Sequence, residues 1–96
     1  MEKADFRGVN LDGSKLSRAK LAGADFRGAS LRFVNLEQAD LEGADLGKAN
    51  LFNAYLSGAN LSGVNLRGAD LEAAVLPEDV RAEEVTLSQT LGTRLR

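Results

Sequence analysis

Ala44-Asp45-Leu46-Gly47-Lys48-Ala49-Asn50-Leu51-Phe52-Asn53 is the stretch that decides the fold. A small residue, a short polar residue, a leucine and two further residues appear and are at once repeated. Read outward, the rule holds in both directions. Leu or Phe recurs every fifth residue at Phe6, Leu11, Leu16, Leu21, Phe26, Leu31, Leu36, Leu41, Leu46, Leu51, Leu56, Leu61, Leu66, Leu71 and Leu76. Two residues before each stands Ala, Val or, once, Ser14. Glycine closes eight of the fifteen units, at Gly8, Gly13, Gly23, Gly28, Gly43, Gly58, Gly63 and Gly68.

A period of five fits neither regular element. On an α-helix five residues advance roughly 500°, so successive leucines step about 140° apart and encircle the rod without forming a stripe. On a continuous strand an odd period sends alternate leucines to opposite faces. The chain therefore turns once per repeat, always in the same sense. Each repeat is one side of a coil, with its small residue and its Leu inward and the other three residues outward. The residue two after Leu falls where a type II turn requires positive φ, which glycine supplies without steric cost. The Asp or Asn before Leu suits a corner flanked by turns. A single coil has no core, but a stack encloses one, and the leucines and phenylalanines named above are its predicted core. The fold class is an all-β solenoid.

The runs Ala44-Asp45-Leu46-Gly47-Lys48, Ala49-Asn50-Leu51-Phe52-Asn53 and Ala59-Asn60-Leu61-Ser62-Gly63 resemble the pentapeptide-repeat proteins, and the resemblance covers residues 4–78. It implies a right-handed quadrilateral β-helix with four repeats, or twenty residues, per coil. The fifteen repeats then make just under four coils. Residues 1–3 form an N-terminal tail, 4–78 the β-helix and 79–96 a C-terminal cap, part helical. Pro77 suits a helix start and Glu78-Asp79 its first turn, so a short helix is predicted over 78–84 with an irregular or second helical piece after it. Val80, Leu87, Leu91 and Leu95 keep an approximate helical spacing. The cap is expected to cover the open end of the stack, Leu76 included.

Composition narrows the functions. The chain has no cysteine and no histidine, which removes thiolate chemistry and the usual general base. No cofactor or metal is expected. Net charge is −2, mild and mixed, which disfavours a nucleic-acid groove. There is no membrane-span-length apolar run, and cytoplasmic residence is the default expectation, with a bacterial source borrowed from the resemblance. Asn60-Leu61-Ser62 matches a glycosylation triplet but only fills routine repeat positions. Glu37 with Asp40 or Glu42 is the nearest approach to a carboxylate pair, yet each sits at a solvent-facing repeat position on a convex body.

In a twenty-residue coil, residues n, n+20 and n+40 lie above one another. Phe6 and Phe26 then stack inside. Asp5, Asp25 and Asp45 form an outer column beside Arg7 and Arg27, with Arg67 across the gap at Gly47. Four outward positions break the polar rule: Phe33, Phe52, Tyr55 and Val75. Stacking gathers them on the edge between the second and third sides, with Arg32 and Arg18 near its rim. Exposed aromatics collected at one place mark a contact. Three occupants stay open for the edge: the chain's own tail, a second copy, or a foreign protein. A homodimer through the C-terminal end is also open. The expected function is a non-enzymatic protein-binding or scaffold module. The resemblance adds an alternative, a DNA-mimicking binder of DNA gyrase or topoisomerase IV of the fluoroquinolone-resistance type, with no residue carried over.

Overall fold

The computed structural model describes residues 3–95. The register is written in its parallel backbone bridges, Asp5↔Asp25, Asn10↔Ser30, Lys15↔Asn35, Lys20↔Asp40 and so on to Tyr55↔Val75, each joining n to n+20. We number the sides from 4–8 (side 1) through 9–13, 14–18 and 19–23 (side 4), and restart at 24. Each bridge is a single residue pair rather than an extended strand. A five-residue side that gives two residues to a turn keeps room for little more.

The turns follow the sequence rule. The carbonyl of each inward Leu or Phe accepts the N–H of the small residue three positions on, as in Val34 to Leu31 at 3.2 Å and Ala44 to Leu41 at 2.9 Å. The residue before it has positive φ at every corner from Gly8 to Ala73. The Asp or Asn preceding Leu has a further role. Its side-chain oxygen accepts the amide of the residue after Leu, as in Gly47 to Asp45 Oδ1 (2.9 Å) and Phe52 to Asn50 Oδ1 (3.0 Å). Where Ser30 cannot reach, Asp12 of the coil below takes both the Arg32 amide (2.9 Å) and the Ser30 hydroxyl (2.6 Å).

Inward residues from Leu21 to Leu66 are buried, together with the alanines and valines beside them. Phe6 stacks on Phe26 with centroids 5.0 Å apart and planes 9° from parallel. Phe6, Leu11, Leu16, Leu71 and Leu76 are only partly buried, which corrects the expectation that all fifteen are enclosed. Each of these has a coil on one side alone.

The fifteenth repeat opens normally, with Val75 bridged to Tyr55, but does not close. Glu78 does not take the positive φ of the corners, and the Val80 amide bonds to the Pro77 carbonyl instead (3.2 Å). The next inward slot would fall to Asp79, and a carboxylate cannot enter the apolar bore without a large desolvation cost.

The helix α1 spans Ala82–Leu91, not 78–84. Arg81 precedes it in extended conformation, Glu83 and Glu84 occupy its first turn, and Gly92 ends it at φ 76° with its amide on the Ser88 carbonyl. The segment docks by standing in for a missing coil. Leu66 N–H donates to Ser88 Oγ (2.8 Å), Gly68 N–H to the Gln89 carbonyl (2.9 Å), and Leu95 pairs its backbone with Gly63 and Val64. Val85, Ser88 and Leu95 are buried there, whereas Leu87 and Leu91 face solvent. The cover lies over residues 63–69, so Leu76 stays only partly buried, contrary to expectation. Met1, Glu2 and Arg96 lie outside the described residues; Lys3 N–H bonds the Ala22 carbonyl at 2.9 Å.

Candidate interaction edge

The residue two after each Leu stands at a corner, and stacking sorts these residues into columns. One column is Lys3, Gly23, Gly43 and Gly63, bare of side chains above Lys3. The column between sides 2 and 3 is Gly13, Phe33, Asn53 and Ala73, and the one between sides 3 and 4 begins Arg18, Gln38, Gly58. Phe33 holds φ at 59°, a conformation that costs an L-residue roughly 1–2 kcal/mol and that glycine accepts freely. A bulky ring kept at such a place, half exposed, contributes nothing the turn requires.

The aromatic residues meet as the register dictates. The Phe33 and Phe52 rings lie edge to face with centroids 5.7 Å apart and an interplanar angle of 86°. The Phe33 amide donates to the Phe52 carbonyl at 2.9 Å, so the two rings are held by the ladder itself. Tyr55 sits beneath Val75 as a bridged pair on side 3. Phe33, Tyr55 and Val75 are 50%, 47% and 45% exposed, and Phe52 is partly buried against Phe33. The corner at Asn53-Ala54 joins the two pairs into one edge. The C-terminal tail does not cover it, which removes the chain's own tail as the occupant.

Arg32, expected near the rim, is half exposed and already engaged within the chain. Its Nε and Nη2 donate to the Asp12 carboxylate at 3.1 and 2.9 Å, so it ties the corner to the coil below from the outer surface. Arg18 Nε donates to Gln38 Oε1 at 2.9 Å and lines a shallow polar groove with Ser17, Glu37, Ser57 and Gly58.

Charges on the lower coils are tied in pairs. Arg7 binds Asp5 (2.9 Å) and reaches Asp25 (3.8 Å); Arg27 binds Asp25 (2.7 Å) and reaches Asp45 (3.9 Å). The hydrogen bonds from the Arg7 side chain and amide lower the Asp5 pKa to about 2. Asp12 is lowered by the Ser30 hydroxyl and Arg32, and Asp25 by Arg27. The acids of the possible catalytic pair are spent on structure or set apart. Asp40 Oδ1 holds the Glu42 amide (3.1 Å) on side 4, while Glu37 lies in the groove with Arg18. No three acidic side chains among the described residues converge in a way that would hold a metal ion. Among the described residues no helix is long and apolar enough to cross a membrane.

Leu87 and Leu91, 48% and 63% exposed, are a second apolar surface that the sequence reading did not separate from the cap's inward residues. Their i, i+4 spacing was visible; which side of α1 they occupy was not.

Comparison with known proteins agrees with the geometry. The profile of the family described as "Pentapeptide repeats (8 copies)" matches residues 4–43 and 49–77. A pentapeptide repeat protein from Nostoc PCC 7120 is 30% identical at a TM-score of 0.51, covering 98% of this chain and 86% of that one. HetL, a pentapeptide repeat protein involved in heterocyst differentiation regulation in Nostoc sp. strain PCC 7120, is 31% identical over 80% of this chain and 46% of its own, with a TM-score of 0.47. A pentapeptide repeat protein from the thylakoid lumen of Arabidopsis thaliana is 28% identical over 97% of this chain and 85% of its own, with a TM-score of 0.43. Curated protein sequences gave no significant match.

Proposed function

The chain belongs to the pentapeptide-repeat family, and from that premise we propose that it works as a non-enzymatic protein-binding or scaffold module, a right-handed four-sided β-helix of fifteen repeats that recognises its partner with a preorganised convex surface. The observation that carries this reading is the Phe33–Phe52 pair, an aromatic contact held half open to solvent on the backbone ladder, with one ring in a left-handed corner. Tyr55 and Val75 extend it. Rigid aromatic anchors lose little conformational freedom on binding, which is why they concentrate in recognition surfaces. As part of the same proposal the chain acts in the bacterial cytoplasm, a setting that suits a chain without cysteine.

The DNA-mimicry alternative needs an extended anionic face. Asp5, Asp25 and Asp12 are each paired with an arginine, which breaks up the acidic surface of the lower coils and favours the scaffold reading over it. Self-association through the C-terminal end draws support from the exposed Leu87 and Leu91. Light scattering of the wild type, of Phe52→Ser with Tyr55→Ser, and of Leu87→Ser with Leu91→Ser separates the routes. A dimer lost only in the first variant assigns the aromatic edge to self-association, and one lost only in the second assigns the helix. Affinity capture then tests the foreign-partner reading: proteins retained by the wild type and released by the aromatic variant support it. An unchanged set of retained proteins, with no dimer, refutes the edge as the binding surface.

A further inference from the structure

We propose that the uncovered half of the last coil, residues 69–78, is a strand-addition site for a short extended segment with apolar inward and basic outward residues. The tail closes only half of that coil. Its hydrogen bonds fall at Gly63, Val64, Leu66, Gly68 and Ala69. On sides 2 and 3 the amides of Leu71, Ala73 and Leu76 find no acceptor among the described residues. One coil below, the equivalent amides of Leu51, Asn53 and Leu56 bond to the carbonyls of Asp70, Glu72 and Val75 at 2.7, 3.0 and 2.8 Å. The ladder is therefore complete to this level and then stops with its donors pointing along the stack past the last coil, the arrangement that recruits a strand. Beneath them Leu71, Ala74 and Leu76 are only partly buried, so the apolar bore is open along the same half.

Two observations fix the kind of occupant. The first is size. Because α1 and Leu95 sit over sides 4 and 1, the end of a second solenoid cannot seat flat, and only a segment about two repeats long fits beside the tail. The second is charge. Asp70, Glu72, Glu78 and Asp79 rim this half, all exposed and none in an ion pair among the described residues, whereas Asp5, Asp12 and Asp25 below are each held by an arginine. Added outward residues would stack on the acidic ones of sides 2 and 3, where cross-strand opposite charges attract and like charges repel. The segment that satisfies donors, bore and rim together carries Lys or Arg outward and Ala and Leu inward. This site stands apart from the aromatic edge and does not depend on it, although Val75 borders both.

The test uses the full chain and two synthetic peptides, Ala-Lys-Leu-Arg-Gly-Ala-Lys-Leu-Arg-Gly and its acidic counterpart Ala-Asp-Leu-Glu-Gly-Ala-Asp-Leu-Glu-Gly. Titration followed by amide NMR, with hydrogen exchange at Leu71, Ala73 and Leu76, is the readout. The basic peptide is expected to bind at least about tenfold tighter than the acidic one at low ionic strength, with the preference shrinking in salt. Exchange at the three amides should slow. Glu72→Lys with Glu78→Lys, both exposed and with carboxylates that accept no hydrogen bond among the described residues, should reverse the preference while leaving the remaining amide spectrum in place. Equal binding of both peptides, binding that maps elsewhere, or no slowing at the three amides overturns the proposal. So does protection of those amides in the free chain, which would mean that the chain or a copy already fills the edge.

Discussion

Replacing Leu46 by alanine should destabilise the fold far more than the same change at Leu71, although the two occupy equivalent repeat positions. Leu46 is fully buried between coils above and below, whereas Leu71 is partly exposed at the open end. Truncation removes three carbon groups, worth about 0.8 kcal/mol each in transfer free energy, or about 2.4 kcal/mol together. At Leu46 the coils on either side are pinned by backbone ladders and cannot collapse into the space, so a cavity cost brings the total to about 3–4 kcal/mol. At Leu71 about half of the transfer cost applies and no closed cavity forms, leaving about 1 kcal/mol. Urea unfolding followed by circular dichroism at constant slope measures both. Equal losses, or a larger loss at Leu71, would refute the enclosed-stack reasoning.

Ala73→Gly should stabilise the chain by about 1 kcal/mol, because Ala73 holds φ at 61° in an exposed corner; the same urea titration reads it. Ser88→Ala leaves the Leu66 amide without its acceptor and should cost about 1–3 kcal/mol, seen as faster hydrogen exchange at Leu66 and Gly63 as the tail loosens. The Asp5 carboxyl should titrate near 2 by NMR and return toward its ordinary 3.8 in Arg7→Gln. Its pKa is depressed in the folded chain, so its contribution to stability is present above the unfolded value and disappears as pH falls toward 2.

Much of this was legible because a five-residue repeat leaves few geometric choices. The inward leucines, the positive-φ corners and the pairing of Phe33 with Phe52 all follow from period and register. The tail was harder to read. Its helix buries Val85 and Ser88 but exposes Leu87 and Leu91, so its spacing of apolar residues does not report which side packs. Beside the burial of Val85 and Leu95, what holds it is hydrogen bonding by the Leu95 backbone and the Ser88 hydroxyl, which no hydrophobic pattern encodes. Asp79 in the next inward slot was the available signal that the repeats end. The pairing of Arg32 with Asp12 was hidden for a similar reason. Its amide lacks a local Asx acceptor because Ser30 replaces Asp or Asn, and Asp12 one coil below supplies it, a tertiary substitution invisible within a single repeat.

The most direct test of the whole account is a ring-to-ring nuclear Overhauser measurement on the chain labelled at phenylalanine, tyrosine and valine. Twenty-residue coils predict cross-peaks between the Phe33 and Phe52 rings, whose centroids lie 5.7 Å apart, and between Tyr55 and Val75. Absence of both, in a folded sample, would contradict the register and the aromatic edge built on it.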